Sequence, residues 1–179
     1  MVLPLFLGVA LSAHARIGET QPQLEKRYGK PEAPPPWGRD EGARRTLNFS
    51  WSGYKVAATL SSGICVREIV FAVRASVFSS PSDFTKADAL EMAQKIAGTN
   101  LVVDADSPLK GRSVDEQRRS WKWSYWRTAA GGIRADYEEA DYELKALGLG
   151  NILRVMTLPE AERFRETNSQ SHSNRLDRF

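Results

Sequence analysis

Histidine is almost missing from this chain: its 179 residues include two, His14 and His172. His14 falls inside a leader-like apolar stretch and His172 inside a polar tail, so neither is expected to be held by a fold. Cys–His and Ser–His–Asp catalysis both need an imidazole fixed beside the nucleophile, which sets that class aside. Zinc sites built on histidine go with it. Cysteine is scarcer still. Cys65 is the only one, so no disulfide can form within the chain. Its place in an apolar, strand-like run marks it as a buried, inert thiol. Charge of one sign is lacking too, because 25 Lys and Arg against 22 Asp and Glu leave a net +3. Binding to a phosphate backbone needs positive charge gathered on one face, and no nucleic-acid partner is expected. No run approaches the roughly 20 apolar residues of a membrane-crossing helix. The residues imply no catalytic set, no metal and no cofactor.

What is present begins with MVLPLFLGVALSAHA. Val2 to Leu11 is apolar and uncharged, and Ala13-His14-Ala15 follows it. That is the small-x-small pattern which a signal peptidase cleft admits. The positive n-region of such a leader is missing, since Val2 follows Met1 directly; a start codon a few residues upstream would supply it. No cysteine follows the run, so a lipid anchor of the bacterial kind is not expected. The expected organisation is a signal peptide over 1–15, one α+β domain over 16–166 and a disordered tail over 167–179. The mature chain, beginning at Arg16, is expected to be periplasmic or secreted.

Punctuation along the chain predicts its elements. In RIGETQPQLEKRYGKP, Thr20 and Gln23 have capping-box spacing, Leu24 and Tyr28 share a helical face, and Gly29 with Pro31 ends the helix. A Pro-, Gly- and charge-rich loop follows. Three strands are then expected, over Thr46–Trp51, Tyr54–Leu60 and Ile64–Val73, joined at Ser52-Gly53 and Ser61-Ser62-Gly63. A second helix over Lys86–Ala97 has Thr85 and Asp88 at its start, Ala89, Ala93 and Ile96 on one face, and Gly98 after it. Strands over Arg118–Thr128, from Ile133, and over Asn151–Thr157 complete the list, with a short helix to about Glu166. The stretch 137–147 fits both a helical stripe and a strand, and the helix is favoured. The expected fold is an α+β domain, an antiparallel sheet meander packed on short helices, in two tandem helix-plus-meander halves.

The segment Ile17-Gly18-Glu19-Thr20, Leu24 and Tyr28-Gly29-Lys30-Pro31 resembles the opening helix of small exported bacterial proteins of unassigned function. More distantly it is similar to the SmpA/OmlA outer-membrane assembly lipoproteins and the β-lactamase-inhibitor-like fold. The resemblance covers about fifteen residues and implies a helix packed on an antiparallel sheet, sometimes in tandem. It departs from those lipoproteins in having no lipidation cysteine.

Two constellations carry chemistry. Asp136, Glu138, Glu139, Asp141 and Glu143 cluster around two tyrosines; adjacent acids of this kind read as a solvated face. In Arg118–Arg127, strand spacing puts Trp121, Trp123 and Tyr125 on one face with Arg119 and Arg127 at its ends. Aromatic faces flanked by arginine stack sugars, bases or peptide side chains, while the same alternation describes the core side of a half-buried strand. The functional expectation is a non-catalytic binding or interaction module of the cell envelope, whose partner is another envelope protein or a polysaccharide. The alternative is a carboxylate-dependent hydrolase acting on an envelope polymer, with the acidic cluster as its site.

The core reading of Trp121 and Trp123 has a direct check. Truncating a core tryptophan costs roughly 3–5 kcal/mol out of a usual stability of about 5–15 kcal/mol. Trp121→Ala or Trp123→Ala is therefore expected to lower the melting temperature sharply. A stable mutant that loses only affinity for a sugar or peptide would assign this face to binding.

Overall fold

The structure is a computed structural model that describes residues 16–33, 44–73, 84–104, 123–140, 149–164 and 166. The leader, the tail, Arg119, Trp121, Asp141 and Glu143 lie outside the described residues. Helix α1 (Gln21–Tyr28) starts where the capping residues place it. Gln23 Oε1 accepts from the Thr20 amide at 2.8 Å and from its hydroxyl at 2.9 Å. Leu24 and Tyr28 are its buried residues.

Strands β1 (Arg44–Trp51), β2 (Tyr54–Ser61) and β3 (Ile64–Val73) form the expected meander. Both of its turns are tight for the same reason. Ser52 and Gly53 have φ of 49° and 84°, and Ser62 and Gly63 have φ of 52° and 79°. Paired positive φ values match the right-handed twist of the flanking strands, and glycine adopts them without steric cost.

Helix α2 (Lys86–Ala97) follows, with the Asp88 amide donating to the Thr85 hydroxyl at 3.2 Å and the Asp88 carboxylate accepting from the Thr85 amide at 2.8 Å. Four more strands complete the sheet: β4 (Leu101–Val103), β5 (Trp123–Thr128), β6 (Ile133–Glu138) and β7 (Leu149–Thr157). A last helix, α3, spans 158–164. The sheet is antiparallel throughout, in the order β1-β2-β3-β7-β6-β5-β4. Helix-then-meander thus occurs twice, as α1-β1-β2-β3 and α2-β4-β5-β6-β7, and β3 pairing β7 joins the halves.

Both helices pack on one face of the sheet. Leu24 and Tyr28 of α1 and Ala89, Ala93, Ile96 and Ala97 of α2 share a single core with Phe49, Val56, Val70, Ala135, Leu153 and Val155. The opposite face is polar toward β1 and is crossed by α3. Glu160 of α3 pairs with Arg44 and with Arg67, the latter at 3.3 Å, and Phe164 lies under the guanidinium groups of Arg67 and Arg154.

Two sequence expectations are corrected. The residues 137 and 138 do not begin a helix: Tyr137 and Glu138 are in β6, paired with Leu153 and Ile152 of β7. The second correction concerns β5. Its register places Trp126 opposite Ala135 and Tyr125 opposite Asp136. Trp126 is 2% exposed in the helix-covered core, so Tyr125 and Arg127 stand on the other face. The expected core side was one residue out of phase.

That phase predicts two mutant stabilities. Trp126→Ala is expected to cost about 3–5 kcal/mol. Arg127→Ala is expected to change stability by less than about 1 kcal/mol, because its side chain is 47% exposed. Urea denaturation checks both, as a fall in midpoint at unchanged slope for the first and little movement for the second.

Candidate functional site

The chain entering α1 is tied to the start of β3. The Gly18 amide donates to the Cys65 carbonyl at 2.7 Å, and the Cys65 amide donates to the Glu19 carbonyl at 2.8 Å. This short pairing lays Arg16 across the end of α1. The Arg16 guanidinium donates to the Tyr28 hydroxyl at 2.7 Å, and that hydroxyl donates to Glu68 Oε2 at 2.8 Å. The same guanidinium stacks 4.9 Å from the Trp51 ring and 5.3 Å from the Tyr28 ring.

Glu68 sits on the core face of β3, opposite Ala58 of β2 and Val155 of β7. It is fully buried, and its Oε1, like Arg16 Nε, has no hydrogen-bond partner among the described residues. An ionised carboxylate is costly in such surroundings. Burial pushes the Glu68 carboxyl up to about 7, against the opposing pull of the Tyr28 hydroxyl and Arg16. Burial and the neighbouring Glu68 also raise the Tyr28 hydroxyl above its ordinary value. The Cys65 thiol is raised by the same two causes and is buried, so it is held as the unreactive thiol.

Beside this relay, between α1 and the C-terminal end of α2, lies an open cleft of about 520 Å³ lined in part by Arg16, Arg27, Glu91, Lys95, Gly98 and Asn100. Its outer cations are matched. Arg27 pairs with the buried Glu19 carboxylate, which raises the Arg27 guanidinium further, and Lys95 pairs with Glu91 at 2.5 Å.

The sequence-predicted strip is placed in part. Tyr125 is half-buried with the Arg134 guanidinium 5.0 Å from its ring, and exposed Arg127 approaches Asp104 at 3.6 Å. Trp123 opens β5 opposite Glu138 in register. The acidic cluster departs from expectation, since Asp136 and Glu138 are not a solvated face. Arg134 donates to Asp136 at 2.7 Å, and Arg154 donates to Glu138 at 2.7 Å. Asp136 is 8% exposed. Its carboxyl is raised by burial, with Arg134 opposing. These acids escaped correct reading because their partners come from β6 itself and from β7, sixteen residues onward for Glu138. Glu68 was missed altogether. Its signal was available: Glu68 follows Arg67 in a strand whose other residues are apolar, and an acid so placed is either exposed or bonded.

Among the described residues, no three His, Cys, Asp or Glu side chains gather as a metal-holding group, and no helix is long and apolar enough to cross a membrane. No family model and no curated protein matches the sequence. In structure the chain is similar to a cysteine-rich secretory protein of Staphylococcus aureus subsp. aureus Mu50, with a TM-score of 0.43 and 13% identity. The likeness covers 80% of this chain and 45% of that one, so this chain spans under half the length of its structural neighbour.

Glu68 predicts a pH dependence of stability. Its folded pKa of about 7 lies above the ordinary 4.5. The folded state therefore keeps a proton that the unfolded chain has lost, and stability falls as pH rises between those values. Glu68→Gln mimics the protonated acid. Its stability is expected to match the parent near pH 4.5 and exceed it at pH 8, as read by chemical denaturation at both values. Equal pH profiles for the two proteins would remove Glu68 as the cause.

Proposed function

We propose that this chain is a non-catalytic, exported binding module of the cell envelope that holds an extended segment of another envelope protein against the edge of its sheet. The export half of this reading is supported by the leader-like run ending in Ala13-His14-Ala15 and by the resemblance of the first helix to exported bacterial proteins. The binding half is supported by one observation, the unequal treatment of the two sheet edges.

The β1 edge is partly closed. The Glu32 amide donates to the Asn48 carbonyl at 2.7 Å, and the Glu32 carboxylate takes Lys55 at 2.7 Å and Ser50 at 2.5 Å. Strand β4 ends the other side, and among the described residues nothing pairs with its outer edge. Val102 and Val103 there are 50% and 74% exposed. The Asp104 amide donates to the Tyr125 carbonyl at 3.0 Å, and alternation along an antiparallel ladder then turns the Leu101 and Val103 amides outward. An apolar edge with outward donors is a template for strand addition, and proteins that do not use such edges blunt them.

The rival hydrolase reading needs two carboxylates converging on a cleft. Asp136 and Glu138 are instead each engaged by an arginine, and this favours the binder.

Val103→Pro tests the proposal, because it removes one outward amide while edge strands tolerate proline on that side. With a photo-crosslinker in place of Val102, the protein is expected to yield an adduct with an envelope protein that the added Val103→Pro change abolishes at nearly unchanged melting temperature. Capture that survives the proline, or that occurs equally from a crosslinker at Asn48 on the other edge, would count against it.

A further inference from the structure

Arg16 is the residue that follows the expected cleavage point, and it is one of the most constrained in the fold. Chain ends fray unless they are tied down. Here the Arg16 side chain is buried against Tyr28 and Trp51. Its backbone amide donates to the Ile96 carbonyl at 2.8 Å, and the Ile17 amide donates to the same oxygen at 3.3 Å. Ile96 is the penultimate residue of α2, and the last four carbonyls of a helix have no partner within it. Together they form the negative end of the helix dipole.

We infer that proteolytic removal of residues 1–15 seats the new α-ammonium group of Arg16 on the C-terminal end of α2, so that maturation adds a cation directly at the last carbonyls of a helix whose last turn already carries Lys95. The inference rests on the export reading above and extends it from an address to a structural step. In the precursor, position 16 offers the Ile96 oxygen a neutral amide. Hydrolysis of the Ala15–Arg16 peptide bond consumes one water, leaves a carboxylate on Ala15, and leaves Arg16 with a protonated amine. One N–H keeps the bond to Ile96. Arg16 also lines the open cleft bounded by Gly98, Thr99 and Asn100.

The charged groups around this seat are the Arg16 guanidinium and Glu19 from its own segment, Arg27 of α1, Glu91 and Lys95 of α2, and Glu68 beneath Tyr28. Arg27 and Glu19 are paired, as are Lys95 and Glu91, so the two influences left on the amine are the helix end, which favours its charge, and the Arg16 guanidinium, a like charge that opposes it. A seat that favours the charged amine raises its pKa above the roughly 7.7–8.0 of a free terminus. The associated stability is then complete below that value and is lost as pH rises through the folded pKa.

The full chain, leader included, is expressed in an exporting bacterial host, and the recovered protein is sequenced from its N-terminus. Part of it is then Nα-acetylated at about pH 6.5, where lysine side chains, with pKa near 10.4, are protonated and unreactive. Melting temperatures of the two forms are compared from about pH 6 to pH 10. The sequence is expected to begin at Arg16. The free-amine form is expected to melt about 2–4 °C higher at pH 6–7, with the gap closing as the amine deprotonates. Arg16→Ala is expected to lower both curves and preserve the gap. A start at Arg16 with coincident curves would overturn the seat and leave export standing. A gap that disappears in Arg16→Ala would assign the effect to the guanidinium and also overturn it. Recovery with Met1 intact would overturn export and the seat together.

Discussion

The pairing of β3 with β7 is the constraint on which the remaining structure depends. Each of these strands closes a meander that begins after a helix, and their antiparallel register puts Val70 opposite Leu153 and Glu68 opposite Val155. Two units joined in this way are related by an approximate two-fold axis normal to the sheet. Such an axis turns strand directions around but does not exchange faces. Both helices therefore arrive on the same side and build one core. A meander of three strands with one helix would expose an edge and half a core. The joined sheet leaves those liabilities only at its two ends.

Burial on both faces explains where polar groups have gone. Among the described residues, the strands present a single carboxylate to the helix-covered face, Glu68, tethered through Tyr28 to Arg16. On the opposite face arginines and acids alternate across β3, β7 and β6, with Glu160 and Phe164 of α3 inserted among them. Arginine suits this position because its guanidinium bonds a carboxylate in plane and offers its flat side to a ring. The ion pairs fix how α3 and the strands lie, while most of the apolar burial lies on the helix side.

The elements that were legible in the sequence were those marked by local chemistry. Thr20 with Gln23, Thr85 with Asp88, and the two Ser-Gly turns act within four residues, and they delimited α1, α2 and the first hairpins. What depends on distant partners was not legible. Alternation in β5 pointed to the wrong side because a strand covered on both faces carries large side chains at consecutive positions, as at Tyr125 and Trp126. The acids near 136 looked solvated because nothing local reveals Arg154 beside Glu138. In β3 a local irregularity compounds this. Thr59 faces Arg67 and Leu60 faces Cys65, so Val66 is an extra residue that switches parity. Cys65 and Glu68 consequently both enter the core, three positions apart, which no period-two pattern allows. Arg16 gave no signal as a site residue, since its partners Tyr28, Trp51, Glu68 and Ile96 belong to four different elements.

The two ends of the sheet are unlike, and this sets the valency of any assembly made through them. A sheet that can be extended at both ends can grow without limit, as fibrils do. Among the described residues Glu32 bridges Asn48 on β1, while nothing pairs with the outer edge of β4, so an added strand meets less obstruction on the side of β4. An assembly built on one open edge would end after a single addition, and how far the Glu32 bridge on Asn48 closes the other edge is what sets that limit here.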